Sequence, residues 1–257
     1  MDYTREVGLR NRIIQTNPMS ITKERARKLV ESEVETVGIH IDSIVPDIYA
    51  QVHTNPKTLE QKIQGYHNLL EAGYPADQTW ACVCLTKQTI QSLEETFEWF
   101  LGMGASFISY IQFRPVGLAS SGLEHLELSV SEQRWACEYR AQRLGDPDLL
   151  RLGSSDSRAV CQNMIVIKDD GDVTPCPLCQ DIVVGNIYQE SLMDIYRKNR
   201  KMLMFDFDIQ GKCGDCEHNE ICFGCRANAF YMEGDVRASD PRCWLNPENQ
   251  DQYLLQK

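Results

Sequence analysis

The stretch CGDCEHNEICFGC, residues 213–225, decides how the second half of this 257-residue chain folds. Its four cysteines form two C-x2-C pairs separated by five residues. Upstream lie CQNMIVIKDDGDVTPC at residues 161–176 and then Cys179, and downstream lies Cys243, so eight of the 11 cysteines fall within residues 161–243. Disulfides are rare in reducing compartments, where clustered cysteines more often ligate a metal or do redox chemistry. This half is therefore predicted to be organised by something other than apolar burial.

A β-hairpin is predicted between Cys161 and Cys176. The apolar run MIVI forms one strand, the run DDGD is a turn signal, and Val173-Thr174 begins the return strand. A hairpin brings Cys161 and Cys176 back to the same end, as two ligands of one metal centre require. Further along, a helix is expected over residues 191–200, capped by its first serine.

The spacing of the thiols narrows the choice of metal. Thiolate ligands select zinc, copper(I) or iron–sulfur clusters. Zinc ribbons separate their ligand pairs by about 12 to 20 residues, and the five residues between Cys216 and Cys222 are few for that. A cubane cluster suits tight C-x2-C pieces together with one distant cysteine. The pattern favours iron–sulfur clusters, and eight cysteines are enough for two; zinc is the alternative.

The first half alternates short apolar strands with amphipathic helices, which predicts an α/β fold with a parallel sheet and right-handed crossovers. Cys82 and Cys84 share one face of a predicted strand and are expected to be small core residues, with a position near substrate as the alternative. Cys137 lies in a predicted helix and is expected to be buried. The predicted strands cover residues 12–16, 36–41, 79–85 and 107–113, and the predicted helices start at Ser20, cover 57–72 and 91–101, and start again at Ser129.

The predicted sheet has an open edge at its beginning. The residues before position 12 are fewer than the roughly 30 that another strand–helix unit needs. Parallel sheets are normally covered, and an exposed apolar edge invites association. We therefore expect either a partner at this edge or a longer protein of which this chain is a part.

Composition excludes several function classes. A net charge of −11 and a pI near 5.0 argue against a nucleic-acid or anionic-membrane binder. No apolar run approaches the roughly 18 residues of a membrane helix, and the charged start lacks a signal core. These features predict a cytoplasmic protein with no nucleic-acid or membrane partner.

The cysteine pattern resembles a known family. Residues 155–247, over nearly their whole length, are similar to the SPASM domain of radical S-adenosylmethionine (SAM) enzymes. The shared pattern is C-x9-G-x4-C, a gap, C-x2-C-x5-C-x2-C, a second gap and a last C. The first half resembles more loosely the later strands of the radical SAM partial barrel. Thr16-Asn17-Pro18 resembles the TNG strand end, Ile39-His40-Ile41-Asp42 the S-x-D strand, and Phe113-Arg114-Pro115-Val116-Gly117 the strand beside the adenine of SAM.

This resemblance implies a fold and two domains. Residues 1–150 would form an incomplete (β/α) partial barrel, and residues 151–257 a small cysteine-rich iron–sulfur domain of a β-hairpin and helices. It also implies two auxiliary [4Fe-4S] clusters.

The cluster ligands follow from the same resemblance. Cys161, Cys176 and Cys225 match the first cluster. Its fourth ligand is assigned to Cys179, with an open site as the alternative, because position 155, where some members carry an extra cysteine, is Ser. The second cluster is matched by Cys213, Cys216, Cys222 and Cys243.

One part of the family pattern is absent. The sequence contains no C-x3-C-x2-C loop, which holds the SAM-cleaving cluster, and no glycine-glycine-glutamate strand end. Both belong to the first two strand–helix units, where the sheet already has its gap. We therefore expect a radical SAM/SPASM protein without its amino-terminal part, inactive alone, that binds SAM only when that part is present. His40 and Asp42 are the candidate contacts to SAM or substrate.

The function implied is SAM-dependent radical modification of a peptide, a protein or a small cofactor precursor, as an oxidoreductase or maturase. The expected partners are such a substrate, the missing segment or a partner subunit, and a reductant such as ferredoxin or flavodoxin. One alternative is a cluster-bearing electron-transfer or partner subunit without its own catalysis. The other is a zinc-stabilised interaction module.

Overall fold

The computed structural model describes residues 2–114, 122–153 and 156–245, which belong to two compact units, Met1–Leu128 and Ser129–Lys257. The described strands of the first unit are β1 (Ile13–Thr16), β2 (Thr36–His40), β3 (Thr79–Leu85) and β4 (Phe107–Gln112). Its described helices are α1 (Asp2–Glu6), α2 (Lys23–Glu31), α3 (Pro46–Val52), α4 (Thr58–Glu71) and α5 (Leu93–Gly102).

The sheet of the first unit runs in the order β1-β2-β3-β4, and every pairing is parallel. The register places Ile14 opposite Val37, and His40 opposite Cys82. The four strands lie within about a residue of their predicted positions, so the predicted parallel α/β sheet is confirmed. Helix α3 was not predicted; its proline occupies a first-turn position, where the missing N–H costs no hydrogen bond.

Helices α2 and α4 pack together beside the sheet, and glycine makes one close approach possible. A Cβ at Gly65 of α4 would lie 1.9 Å from the carbonyl oxygen of Pro18, so only glycine fits there. Pro18 follows β1, as predicted for a proline that stops a strand, and starts a short 3-10 turn capped by Asn17. The core of the unit is aromatic and aliphatic, and it includes Ile39, Tyr49, Tyr66, Leu69, Phe97 and Phe100.

Strand β1 is an edge strand in the structure, as the sequence predicts. Within the described ranges, β2 is its one strand partner, and the side chain of Ile13 is 60% exposed. Arg12, which precedes the strand, donates to the Glu35 carboxylate and to the carbonyl oxygen of Glu33. These bonds anchor the start of the strand to the turn before β2.

The second unit contains short elements joined by long connections. Among its described residues the helices are α6 (Val130–Leu144), α7 (Arg158–Cys161), α8 (Leu192–Leu203), α9 (Gly211–Gly214) and α10 (Arg226–Glu233), and the strands are β5 (Val166–Ile167), β6 (Asp172–Thr174) and β7 (Gly185–Asn186). The capping box predicted at Ser129 is present, and α6 ends at Gly145 in the left-handed conformation. The two compact units divide between Leu128 and Ser129, so residues 129–153 belong to the second unit. The division into two functional domains at residue 150 stays a prediction.

The predicted hairpin is confirmed, because β5 and β6 pair antiparallel. Strand β7 pairs with β6 and was not predicted, because a two-residue strand is too short to show the alternation of apolar and polar residues. A Cβ at Gly185 would lie 2.9 Å from the Ile195 side chain, so this glycine lets α8 pack closely on the sheet. Ser191 caps α8 as expected, accepting from the N–H of Asp194.

None of the helices in the described part of the chain combines the length and the apolar character needed to cross a membrane.

Candidate iron–sulfur site

Four cysteines of the second unit surround one apolar cluster, and we call them the first thiol set: Cys161, Cys176, Cys179 and Cys225. They come from four places, the end of α7, the turn after β6, the following loop and the start of α10. Cys179 belongs to a buried cluster with Phe205 and Phe223, and the other three cysteines pack against that cluster. The structure thus brings together the four residues predicted for the first cluster.

Cys161 has acidic neighbours in a buried setting. Burial, together with the nearby Cys225, Asp156 and Cys176, whose negative charges would repel a thiolate, raises the pKa of Cys161 to about 12. The thiol is therefore neutral unless a positive charge lies beside it, and a bound metal group would supply that charge, since coordinated thiols lose their protons.

The second thiol set consists of Cys213, Cys216, Cys222 and Cys243, and backbone N–H groups point at three of its sulfurs. The N–H of Asp240 donates to Sγ of Cys213 at 3.3 Å. The N–H of His218 lies 3.5 Å from Sγ of Cys216, and that of Gly224 lies 3.4 Å from Sγ of Cys222. Donors directed at sulfur favour the charged thiolate and tune a cluster bound to it.

Two glycines with positive φ make room for sulfurs of the second set. A Cβ at Gly224 would come within 2.8 Å of Sγ of Cys213, and one at Gly153 within 2.7 Å of Sγ of Cys243. The thiol of Cys222 donates to the carbonyl oxygen next to Gly153, at Leu152, over 3.1 Å. Residues 152–153 therefore hold two members of the set, a role that sequence reasoning missed because they lie far from the cysteines in sequence.

Soft donors, directed N–H groups and glycine cradles fit an iron–sulfur cluster. Tetrahedral zinc, with Zn–S near 2.3 Å, would draw four sulfurs to within about 4 Å of one another. A cubane is a larger object and would hold its thiolates further apart.

A buried arginine frames the loop that carries Cys222 and Cys225. Arg226 is almost fully buried, and its guanidinium donates to the carbonyl oxygens of Phe223, Val236 and Ala238. It also lies over the Phe223 ring. The sequence analysis assigned this residue no structural role, because its acceptors at Val236 and Ala238 lie 10 and 12 residues away in the chain.

A second polar centre lies at the carboxyl end of β2. Asp42 is 4% exposed, and its Oδ1 accepts from Nε2 of His40 at 2.8 Å and from the N–H of Cys84 at 2.8 Å. Its Oδ2 accepts from Nε2 of His53 at 2.9 Å. The carboxylate can only accept, so both imidazoles carry their proton on Nε2. His53 was missed by sequence reasoning, since it follows an unpredicted helix.

The charge state of this centre follows from its contacts. Burial acts to raise the pKa of Asp42, but the hydrogen bonds from His40 and His53 outweigh it and hold that pKa well below its usual range. Burial, with the Asp42 charge beside it, raises the pKa of Cys84 to about 12, so this thiol stays protonated. Cys82 and Cys137 are buried, as predicted for core residues, whereas Cys84 is only partly buried.

Two sequence predictions fall beyond the described residues. Pro115-Val116-Gly117, in the segment compared with the adenine-bordering strand, and Ser155 both lie outside the ranges that the structure describes.

The fold and the site define the class: an α/β protein with an iron–sulfur-binding domain. Residues 160–226 match the family model of SPASM, an iron–sulfur cluster-binding domain, and residues 5–100 match that of the radical SAM superfamily. The chain is a radical SAM/SPASM domain protein. The resemblance stated from its motifs is thereby confirmed.

Similar proteins include enzymes that act on different substrates. The AdoMet-dependent heme synthase of Nitratidesulfovibrio vulgaris is 25% identical over 281 residues, which cover 95% of this chain and 74% of that protein. The PqqA peptide cyclase of Streptomyces rochei is 24% identical over 250 residues, with coverages of 90% and 68%. The structure of anSMEcpe with bound AdoMet and Cp18Cys peptide has a TM-score of 0.69 at 16% identity, covering 94% of this chain and 73% of that one. The structural likeness shows the shared fold.

Proposed function

We propose that this chain holds two auxiliary [4Fe-4S] clusters in its second unit, which support SAM-dependent radical modification of a peptide, a protein or a small cofactor precursor. The proposal is supported by the packing of Cys161, Cys176, Cys179 and Cys225 at one apolar cluster, and by the backbone N–H groups directed at sulfurs of the second thiol set. Bound clusters would supply sites that accept or donate single electrons.

The proposed ligands of the first cluster are Cys161, Cys176 and Cys225, with Cys179 as the fourth. Cys179 qualifies because it is buried in the apolar cluster against which the other three, partly buried, pack. The second cluster would be held by Cys213, Cys216, Cys222 and Cys243. The protein's own contribution is to direct N–H groups at the sulfurs and to exclude water, which both tune a reduction potential.

SAM and substrate are proposed to meet the first unit at the carboxyl ends of its strands, where parallel α/β folds bind ligands. His40 and Asp42 lie at this edge and are the proposed contacts. Both Asp42 oxygens already accept hydrogen bonds, so His40 is the member of the pair that would face a ligand. Its side chain is 34% exposed.

The substrate class is proposed from the similar proteins. A peptide cyclase and heme synthases are among them, which favours a peptide or a tetrapyrrole precursor. A ferredoxin or flavodoxin is the proposed reductant, in the cytoplasm. A segment or subunit that carries C-x3-C-x2-C is the proposed partner for SAM cleavage, since this sequence has no such motif.

A second candidate is a cluster-bearing electron-transfer or partner subunit without catalysis of its own. Such a role would need the clusters of the second unit and no SAM. Both candidates need clusters, and both therefore differ from a zinc-stabilised interaction module.

Iron and acid-labile sulfide analysis after anaerobic reconstitution tests the proposal. We expect two clusters, or about eight iron atoms per chain. Cys82→Ala serves as the control, because Cys82 is a buried core thiol outside both sets, and it should keep the full iron content. Two zinc ions with little iron would overturn the proposal in favour of the interaction module.

A further inference from the structure

Asp240 lies between the two thiol sets and contacts a cysteine of each. Its Oδ2 accepts from the N–H of Cys225, in the first set, at 2.9 Å. Its own N–H donates to Sγ of Cys213, in the second set, at 3.3 Å. The residue is fully buried, at 0% exposure. One aspartate therefore touches a ligand loop of each proposed cluster.

The carboxylate of Asp240 is held rigidly by two further donors. Its Oδ1 accepts from the side-chain amide of Asn228 and from the N–H of Arg242, both at 2.9 Å. A buried carboxylate with both oxygens occupied has one favourable orientation, because any rotation leaves a buried donor unsatisfied. Asn228 lies on α10, and the bond to it ties that helix to the segment before Cys243.

Asp240 and Cys213 of the second thiol set both pack closely against Gly224. A Cβ at Gly224 would lie 2.7 Å from Cβ of Asp240 and 2.8 Å from Sγ of Cys213. The backbone of Gly224 thus fills the space between them. A displacement of the Cys225 loop would therefore move Asp240, and with it the N–H that points at Cys213.

We propose that Asp240 is a positioning residue that couples the two thiol sets, so that loading one cluster strengthens and tunes the binding of the other. This inference rests on the proposed function, in that both sets are taken to hold clusters. The carboxylate orients the first set through a backbone N–H, and the amide of the same residue stabilises a thiolate of the second.

Asp240→Asn tests the coupling, because an amide has one accepting oxygen and cannot serve all the donors around it. Asp235→Asn is the matched control. Asp235 accepts from the N–H of Arg237 two residues on, as Asp240 does from Arg242, but it is exposed rather than buried. We expect Asp240→Asn to lose about 10- to 100-fold in cluster affinity, measured as iron retained against a chelator, and Asp235→Asn to match the parent.

A spectroscopic readout separates coupling from mere destabilisation. Cys161→Ala removes a ligand of the first cluster and leaves Asp240 in place. In the parent background, this change should shift the midpoint potential and EPR signal of the remaining second cluster. In the Asp240→Asn background, the same change should produce no shift. A shift of equal size in both backgrounds, or parental chelator resistance in Asp240→Asn, would overturn the inference.

The two proposals fail in different ways. An unsubstituted chain that takes up zinc but little iron overturns the proposed function, and the coupling with it. A chain that binds two clusters and keeps the coupling in Asp240→Asn overturns the coupling alone. If Asp240→Asn loses its folded circular dichroism spectrum, the same potential measurement in Asn228→Ala tests the coupling. That variant removes one donor to the carboxylate and should reduce the potential shift; an undiminished shift would overturn the inference.

Discussion

Replacement of Asp42 by alanine should destabilise the first unit strongly. The change removes an acceptor for three donors, the imidazoles of His40 and His53 and the N–H of Cys84. Hydrogen bonds to a charged group contribute about 1.5 kcal/mol or more each, so the loss should be about 4–5 kcal/mol. Asp42→Asn keeps one accepting oxygen and should lose about 1.5 kcal/mol.

Hydrogen exchange at pH 7, followed in the peptides that cover β2 and β3, measures this loss as a lower free energy of opening. Asp47→Ala is the matched control, because Asp47 is an exposed aspartate in the first turn of α3. Its helix-dipole contribution is at most about 1 kcal/mol. If Asp42→Ala changed protection no more than Asp47→Ala does, the three hydrogen bonds would not support the sheet, and our account of this centre would be refuted.

The pH dependence of this stabilisation has a defined direction. The pKa of Asp42 in the folded state lies below its ordinary value of about 3.9. Its contribution is therefore complete above about pH 4 and is lost at about 1.4 kcal/mol per pH unit as the pH falls towards the folded-state pKa. Urea unfolding should show the parent losing its advantage over Asp42→Asn below pH 4. An advantage that grew on acidification would contradict the low pKa.

Three further outcomes are expected. Cys216→Ala or Cys222→Ala should lower the iron content of the reconstituted chain by about half. Either change should also lower the folding stability of the second unit, because cluster binding contributes folding energy. Full iron content in either variant would contradict the ligand assignment. Gly224→Ala should reduce loading of the second thiol set, since its Cβ would lie 2.8 Å from Sγ of Cys213, whereas Gly234→Ala, which has a similar φ of +74° and open space around it, should load normally. The reduced chain of residues 1–257, given SAM, should release no 5′-deoxyadenosine, because the sequence has no C-x3-C-x2-C loop; catalytic turnover detected by chromatography would disprove this.

Much of the fold could be predicted from local patterns. The four parallel strands, the capping box at Ser129 and the hairpin between Cys161 and Cys176 depend on periodicity and turn chemistry within a few residues. Helix α3 and strand β7 could not be predicted in this way. Both are too short to show a period, and packing against longer elements determines them.

The features of the candidate iron–sulfur site likewise differ in whether local sequence could predict them. Cysteine spacing predicts eight thiol ligands and the soft metal groups they suit, because ligand type and spacing limit which metal groups can bind. The role of Leu152 beside Cys222 could not be predicted, because these residues are 70 positions apart. Their contact exists only once the unit is folded.

The sequence by itself thus determined the family, the parallel sheet and the thiols. Tertiary structure alone decided that Asp240 contacts both thiol sets and that His53 shares Asp42 with His40. The physical reason is the range of the interactions involved. Propensity, capping and ligand spacing act between neighbours in the chain, whereas a buried carboxylate finds its donors only among groups that folding brings within hydrogen-bond distance.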